Sequence, residues 1–272
     1  MGTALFGFLA FMLGASVGSF LNVVADRVPS GRSLVSPGAY CESCKTTLGV
    51  AELVPVFSYL AFRGKCRHCG TKIPGRSAVV EGITGLLFLL VLLEFGTSVE
   101  FLIFAAATAL LVVITLIDLQ HGLILDKMVF PTVALLLLLS PFWGLIGVDR
   151  TFFGTGGEIG SFANSVSAGA VYFALLFTVV ILYPRGMGGG DVKLAAVLGL
   201  LLGFPAVLVA FWVTVVVGGV AAIYLLLARR RGRKDEIPYG PYMAVGAFVA
   251  IIAGKDISNW YAEFALGFGG VF

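Results

Sequence analysis

Two aspartates stand where a catalytic acid and base could be built. Asp118 closes the apolar run Leu110-Leu111-Val112-Val113-Ile114-Thr115-Leu116-Ile117, and Asp191 follows directly on Gly186-Met187-Gly188-Gly189-Gly190. An ionisable side chain inside an apolar membrane segment costs about 2.5–3.5 kcal/mol on insertion scales, which marks each as a functional candidate. Two carboxylates sharing a site do not both ionise cheaply, so one keeps a proton while the other activates water. Peptide-bond hydrolysis needs that acid and base, and the pair Asp118 and Asp191 is therefore expected to be catalytic. Gly188, Gly189 and Gly190 form the expected substrate-approach loop: they remove side-chain bulk and permit unusual backbone angles, so an extended strand can come close to Asp191. Glu81, Asp126 and Lys193 are the supporting candidates. The blander readings are a helix cap for Asp191 and an interfacial charge for Asp118.

A second constellation lies upstream. Cys41-Glu42-Ser43-Cys44 and Cys66-Arg67-His68-Cys69 are separated by 21 residues. Two residues between thiolates let a tight turn aim both sulfurs at one tetrahedral ion, and two such turns close a four-thiolate zinc shell. Cys41, Cys44, Cys66 and Cys69 are the expected ligands, leaving no open coordination position and hence a structural role. Two disulfides are the competing reading, which a reducing compartment disfavours. His68 is expected to be a solvated loop residue.

The elements that hold these groups must be membrane helices. Of 272 residues 59% are hydrophobic and only 12% charged, against about 25% charged in soluble domains. Apolar stretches near the ~20 residues that cross a bilayer occur at 4–25, 78–96, 101–119, 127–147, 161–183, 191–204, 206–228 and 238–254, predicting an all-α polytopic membrane protein with about eight transmembrane helices. Gly203-Phe204-Pro205 breaks the long run 194–228 and is read as a tight turn. The first 25 residues carry no charge, so the positive start of a secretory signal is missing and the segment is expected to stay as a membrane helix. Cytoplasmic loops carry the excess of Lys and Arg. Alternation through eight crossings puts sixteen of the 18 basic residues on one side, including the run Arg229–Lys234, with only Arg150 and Lys255 opposite. The cysteine loop and both aspartates are thus expected to face the cytoplasm, and both termini to lie outside.

The same residues resemble the type IV prepilin peptidase family over nearly the whole chain. The resemblance rests on Gly18-Ser19-Phe20-Leu21-Asn22-Val23-Val24 with Arg27-Val28-Pro29, the two cysteine pairs, and Pro55-Val56-Phe57-Ser58-Tyr59-Leu60. It continues through Arg63-Gly64-Lys65-Cys66-Arg67, Val80-Glu81, Ile117-Asp118, Gly186–Leu194 and Ile237-Pro238-Tyr239-Gly240-Pro241-Tyr242. Departures are Leu125-Asp126 where the family often has Leu-Pro-Asp, Glu42 in place of a proline, and no Trp-Tyr near Gly49-Val50.

The resemblance implies an aspartyl endopeptidase of the bacterial inner membrane. Its expected partners are prepilin or type II secretion pseudopilin precursors and the lipid bilayer, with no nucleic acid. It implies leader removal after a glycine on the cytoplasmic side, then N-methylation of the new terminus with S-adenosylmethionine. The domains expected are a first transmembrane helix at 1–25, a cytoplasmic zinc-binding loop domain associated with methylation at 26–77, and a membrane peptidase domain at 78–272. No glycine-rich nucleotide fingerprint identifies the methyl-donor contacts. A proton-coupled transporter using the same aspartates, and a membrane anchor whose zinc loop binds a partner, are the alternatives from other functional classes.

Overall fold

The computed structural model describes residues 2–36, 38–41, 43–152, 154–183, 187–228 and 238–266. Glu42, Arg185, Gly186, the run Arg229–Lys234 and Ile237 lie outside them.

The described residues fold into helices joined by loops: α1 (Gly2–Arg27), α2 (Phe57–Ala61), α3 (Arg76–Phe95), α4 (Val99–His121), α5 (Asp126–Leu139) followed by a 3-10 turn (Ser140–Ile146), α6 (Gly157–Leu182), α7 (Gly189–Leu202), α8 (Ala206–Leu227) and α9 (Gly240–Leu266). Among the described residues the only β-pairing consists of isolated bridges, two of them in the cysteine loop.

Among the described residues seven helices are long and apolar enough to cross a membrane, with the 3-10 turn extending α5. They correspond to seven of the eight expected spans and make this a multi-pass membrane protein. The remaining span is α7, whose 14 residues rise about 21 Å at ~1.5 Å each, short of a ~30 Å hydrocarbon core. A short helix is tolerated when protein rather than lipid surrounds it and satisfies its end groups. Ten of the 14 residues of α7 are buried, more densely than in any helix beside it. Its last carbonyls meet Arg150, a charge that sequence reasoning had assigned to an outer loop. Arg150 is 5% exposed, donates to Ser165 Oγ at 2.7 Å, to Leu200 O at 3.2 Å and to Leu201 O, and lies over the Trp143 ring at 4.1 Å. The guanidinium therefore caps α7, filling orphan acceptors at a helix end.

The break after α7 falls where expected. Gly203, at φ +67°, ends the helix, and Asn164 holds the turn by accepting the Phe204 N–H at 2.7 Å and donating to Phe204 O at 3.2 Å. The last helix outruns its expected apolar span by three turns. Beyond Lys255 it continues on Ile257, Trp260, Tyr261 and Phe264, and the Trp260 and Phe264 rings stack at 5.6 Å.

Two compact units divide the chain within α4, residues 1–117 and 118–272. In the first, α1 lies along α3 at glycine contacts: a Cβ on Gly14 would come within 2.7 Å of Thr84 O, and one on Gly85 within 2.9 Å of Phe11 O. In the second, Gly199 of α7 touches α6, where a Cβ would meet Ala168 O at 2.5 Å, and Gly246 of α9 touches α8 at Ala210 O, 2.4 Å from its own would-be Cβ. Lipid supplies no hydrophobic drive between helices, so close backbone approach through small residues does this work.

Candidate active site

In the second unit, each aspartate is held at the amino terminus of a helix. Asp118, three residues from the end of α4 and 5% exposed, accepts the Gly240 N–H on Oδ2 at 2.9 Å. Gly240 is the first residue of α9, and Pro241 follows it, where a missing N–H does no harm. No side chain fits at Gly240, because a Cβ there would lie 2.7 Å from Asp118 Oδ2. Asp191, 8% exposed, sits in the first turn of α7, and its Oδ2 accepts the Gly188 N–H at 3.2 Å. The helix-cap reading of Asp191 is thus realised by the same carboxylate. The charges of Asp118 and Asp191 act on one another, and Asp191 acts also on the phenols of Tyr172 and Tyr239. Two buried carboxyl groups in mutual electrostatic range, each facing the positive end of a helix, make an acid and base pair of the kind hydrolysis needs.

The glycine loop does one of the two things expected of it. Gly188 has φ −75° and ψ 148°, extended backbone open to any residue, and neither Gly189 nor Gly190 has positive φ. Small size is what counts: a Cβ on Gly190 would stand 2.9 Å from Ile124 Cβ, and beside Gly189 there is open space within 4 Å. Two supporting candidates come together, since Lys193 Nζ binds Asp126 Oδ1 at 2.6 Å and lies over the Phe130 ring at 5.5 Å. This pair ties the start of α5 to the second turn of α7, two residues past Asp191. Glu81 belongs to the first unit, where it is 8% exposed and its Oε2 accepts the Val56 N–H at 2.8 Å.

Sequence reasoning missed Gly240 and the two tyrosines as neighbours of the aspartates. The motif Pro238-Tyr239-Gly240-Pro241-Tyr242 was visible, but a backbone donor leaves no chemical signature in its side chain.

The four cysteines of the first unit converge, their Sγ atoms all within 4.8 Å of one another. Cys41 and Cys69 are 3.9 Å apart and Cys44 and Cys66 4.0 Å, whereas a disulfide needs about 2.05 Å. Four sulfurs at ~2.3 Å from a central ion would be about 3.8 Å apart, so the cluster fits tetrahedral zinc. The two knuckles are built alike. Lys45 N–H donates to Cys41 O and Gly70 N–H to Cys66 O, each turn passing through positive φ, at +59° for Lys45 and +71° for Gly70. Side-chain and backbone hydrogen bonds from Thr71 hold the Cys69 thiol down at about 6. At Cys66 the backbone hydrogen bonds from Cys69 and His68 are outweighed by burial and by the neighbouring sulfurs, which push its thiol up to about 11. Crowded thiols that resist common deprotonation are what a divalent cation resolves. His68 turns away to Glu52, Nε2 to Oε1 3.6 Å, as expected of a residue outside the shell.

Residues 12–95 match the Bacterial Peptidase A24 N-terminal domain, and residues 105–223 match the Type IV leader peptidase family. The chain is similar to the prepilin leader peptidase/N-methyltransferase of Bacillus subtilis (strain 168), 30% identical over 95% of this chain and 99% of that one. It is similar also to those of Pseudomonas putida, 31% over 94% of each, and Neisseria gonorrhoeae, 31% over 93% of each. No solved structure matches the chain. With both family domains in order along one chain and relatives matched over almost their full length, the chain belongs to the type IV leader peptidase family and is a peptidase with N-methyltransferase activity.

Proposed function

We propose that this protein is an intramembrane aspartyl endopeptidase in which Asp118 and Asp191 are the catalytic pair. Its substrates are prepilins or type II secretion pseudopilins, cut after a glycine on the cytoplasmic side. The observation that carries the reading is the pair of buried carboxyl groups, each docked on a helix amino terminus and each within range of the other's charge. In the reaction the ionised carboxylate takes a proton from water as its oxygen attacks the scissile carbonyl carbon. The protonated partner gives its proton to the carbonyl oxygen, and collapse of the tetrahedral intermediate expels the amine with one proton returned. Open space beside Gly189 leaves room for a substrate strand along the start of α7.

The new amino terminus is then N-methylated. S-adenosylmethionine, when bound, would supply an electrophilic methyl group to the amine, with S-adenosylhomocysteine as the leaving group and one proton released. Cys41, Cys44, Cys66 and Cys69 hold a structural zinc that keeps a loop too small for its own core in shape. The protein lies in the bacterial cytoplasmic membrane with eight crossings, α7 being the short one. The cysteine loop and aspartates face the cytoplasm, on the argument of basic-residue placement.

Asp118→Asn and Asp191→Asn, purified with unchanged melting temperature, are expected to leave a precursor peptide uncut. Wild-type cleavage by either variant would remove that residue from the pair.

A further inference from the structure

Where α1 and α3 meet the cysteine loop in the first unit, a cavity of about 260 Å3 opens. Asn22, Glu81, Glu52, Tyr59 and Lys65 are among its walls. Three observations mark it as built for a ligand. Asn22 is 7% exposed, and its Nδ2 donates to Gly18 O at 3.1 Å, while its Oδ1 is buried without a partner. A buried acceptor left unmet costs about 1–3 kcal/mol, a cost that a donor on a bound molecule removes. Glu81 is a buried carboxylate whose hydrogen bond comes from a neutral backbone N–H, and among the described residues it has no cationic partner.

The third observation is backbone strain. Val56, the donor to Glu81, has φ +62° and ψ −51°, and Phe57 N–H closes on Pro55 O at 2.6 Å. This is the rare positive-φ γ-turn, placed on a β-branched residue that resists it. Such strain persists where the surroundings over-determine it, as they do at ligand clamps.

The geometry points to this cavity as the binding site for S-adenosylmethionine, an inference that rests on the N-methylation reading above. The donor carries two cationic centres, a carboxylate, and an adenosine rich in N–H and O–H donors. Glu81 offers the unpaired buried anion for the α-ammonium, the cationic centre that the demethylated product keeps, Asn22 Oδ1 the acceptor for an adenosine donor, and Lys65 a cation for the carboxylate. Tyr59, its ring seated against Gly64 and Gly75, offers an aromatic face. The volume falls just short of the usual range for small-molecule pockets, so part of the donor stays at the mouth, where an acceptor amine can reach its methyl group.

The test is calorimetric titration of the detergent-purified full-length protein with S-adenosylhomocysteine, with zinc content and melting temperature measured on each sample. Wild type is expected to bind one equivalent, and Asn22→Leu and Glu81→Gln to bind at least tenfold more weakly. Ala39→Phe fills the cavity from the exposed loop without touching the α1–α3 crossing, and is expected to weaken binding as much in a sample with full zinc and wild-type melting temperature. Wild-type affinity in Ala39→Phe, or in both helix variants, would overturn the cavity assignment while leaving methylation intact. If wild type neither bound the ligand nor methylated a cleaved peptide, the methylation reading itself would fall.

Discussion

Asp118 takes its hydrogen bond from a backbone N–H rather than from a side chain, so the residue that positions it can be altered only through shape. Gly240→Ala places a methyl 2.7 Å from Asp118 Oδ2, and the carboxyl group must leave its donor to make room. A hydrogen bond to a charged group contributes about 1.5–3 kcal/mol, equal to a loss of about 10- to 150-fold in rate. Steady-state kinetics on a precursor peptide should show that loss in kcat with KM little moved; a loss confined to KM would mean that Gly240 serves substrate binding instead. The aspartates themselves stood out in the sequence because a carboxylate at the edge of an apolar run is costly. Gly240 was not, since nothing in a glycine names the acceptor its N–H will meet. The same limit hid Val56, whose strain is a property of backbone angles, and the orphaned acceptor of Asn22, which only packing reveals.

At the level of the helices, apolar length alone located the spans to within a few residues at every end but the last, where α9 runs on past the expected 254 to Leu266, because a bilayer permits little else than helix. What it could not disclose is which span is enclosed by protein. Residues 191–204 read like any other short crossing, yet α7 is the buried one, and Arg150 is its cap rather than a charge that merely fixes topology. Arg150→Met keeps the length and apolar stem but strips the donors from Leu200 O, Leu201 O and Ser165 Oγ. Each buried acceptor left unmet costs about 1–3 kcal/mol, so the variant should melt several degrees lower in detergent, and Arg150→Lys, with no planar fork, should recover little of the loss. An unchanged melting temperature in Arg150→Met would mean that α7 needs no cap. At the other end of α7 the Lys193–Asp126 pair is a weaker tie. Both side chains are well exposed, 39% and 54%, and such pairs contribute about 0–1 kcal/mol. Asp126→Asn is therefore expected to slow cleavage by less than about fivefold, with the deficit shrinking as salt is raised. A deficit as deep as that of Asp191→Asn would promote Asp126 into the catalytic pair.

For the whole molecule the side of every later loop turns on α7, because each of them changes sides if so short a helix does not cross. Counting α7 puts Arg229, Arg230, Arg231, Arg233 and Lys234 with the cytoplasmic excess and Lys255 opposite; discounting it sends the five cations outward and Lys255 inward. The tight turn at Gly203-Phe204-Pro205 favours counting it, since only those three residues separate the end of α7 at Leu202 from the start of α8 at Ala206, leaving no chain to carry the next helix back. Native Cys69, exposed in the loop, provides an internal marker of sidedness. In a Lys255→Cys variant, with zinc chelated to free the loop thiols, a membrane-impermeant maleimide should label Cys69 only in inverted vesicles and position 255 only in right-side-out ones. Labelling of both from the same side would show that α7 is a re-entrant segment, and Asp191 would then approach its substrate from a helix that enters the membrane and returns.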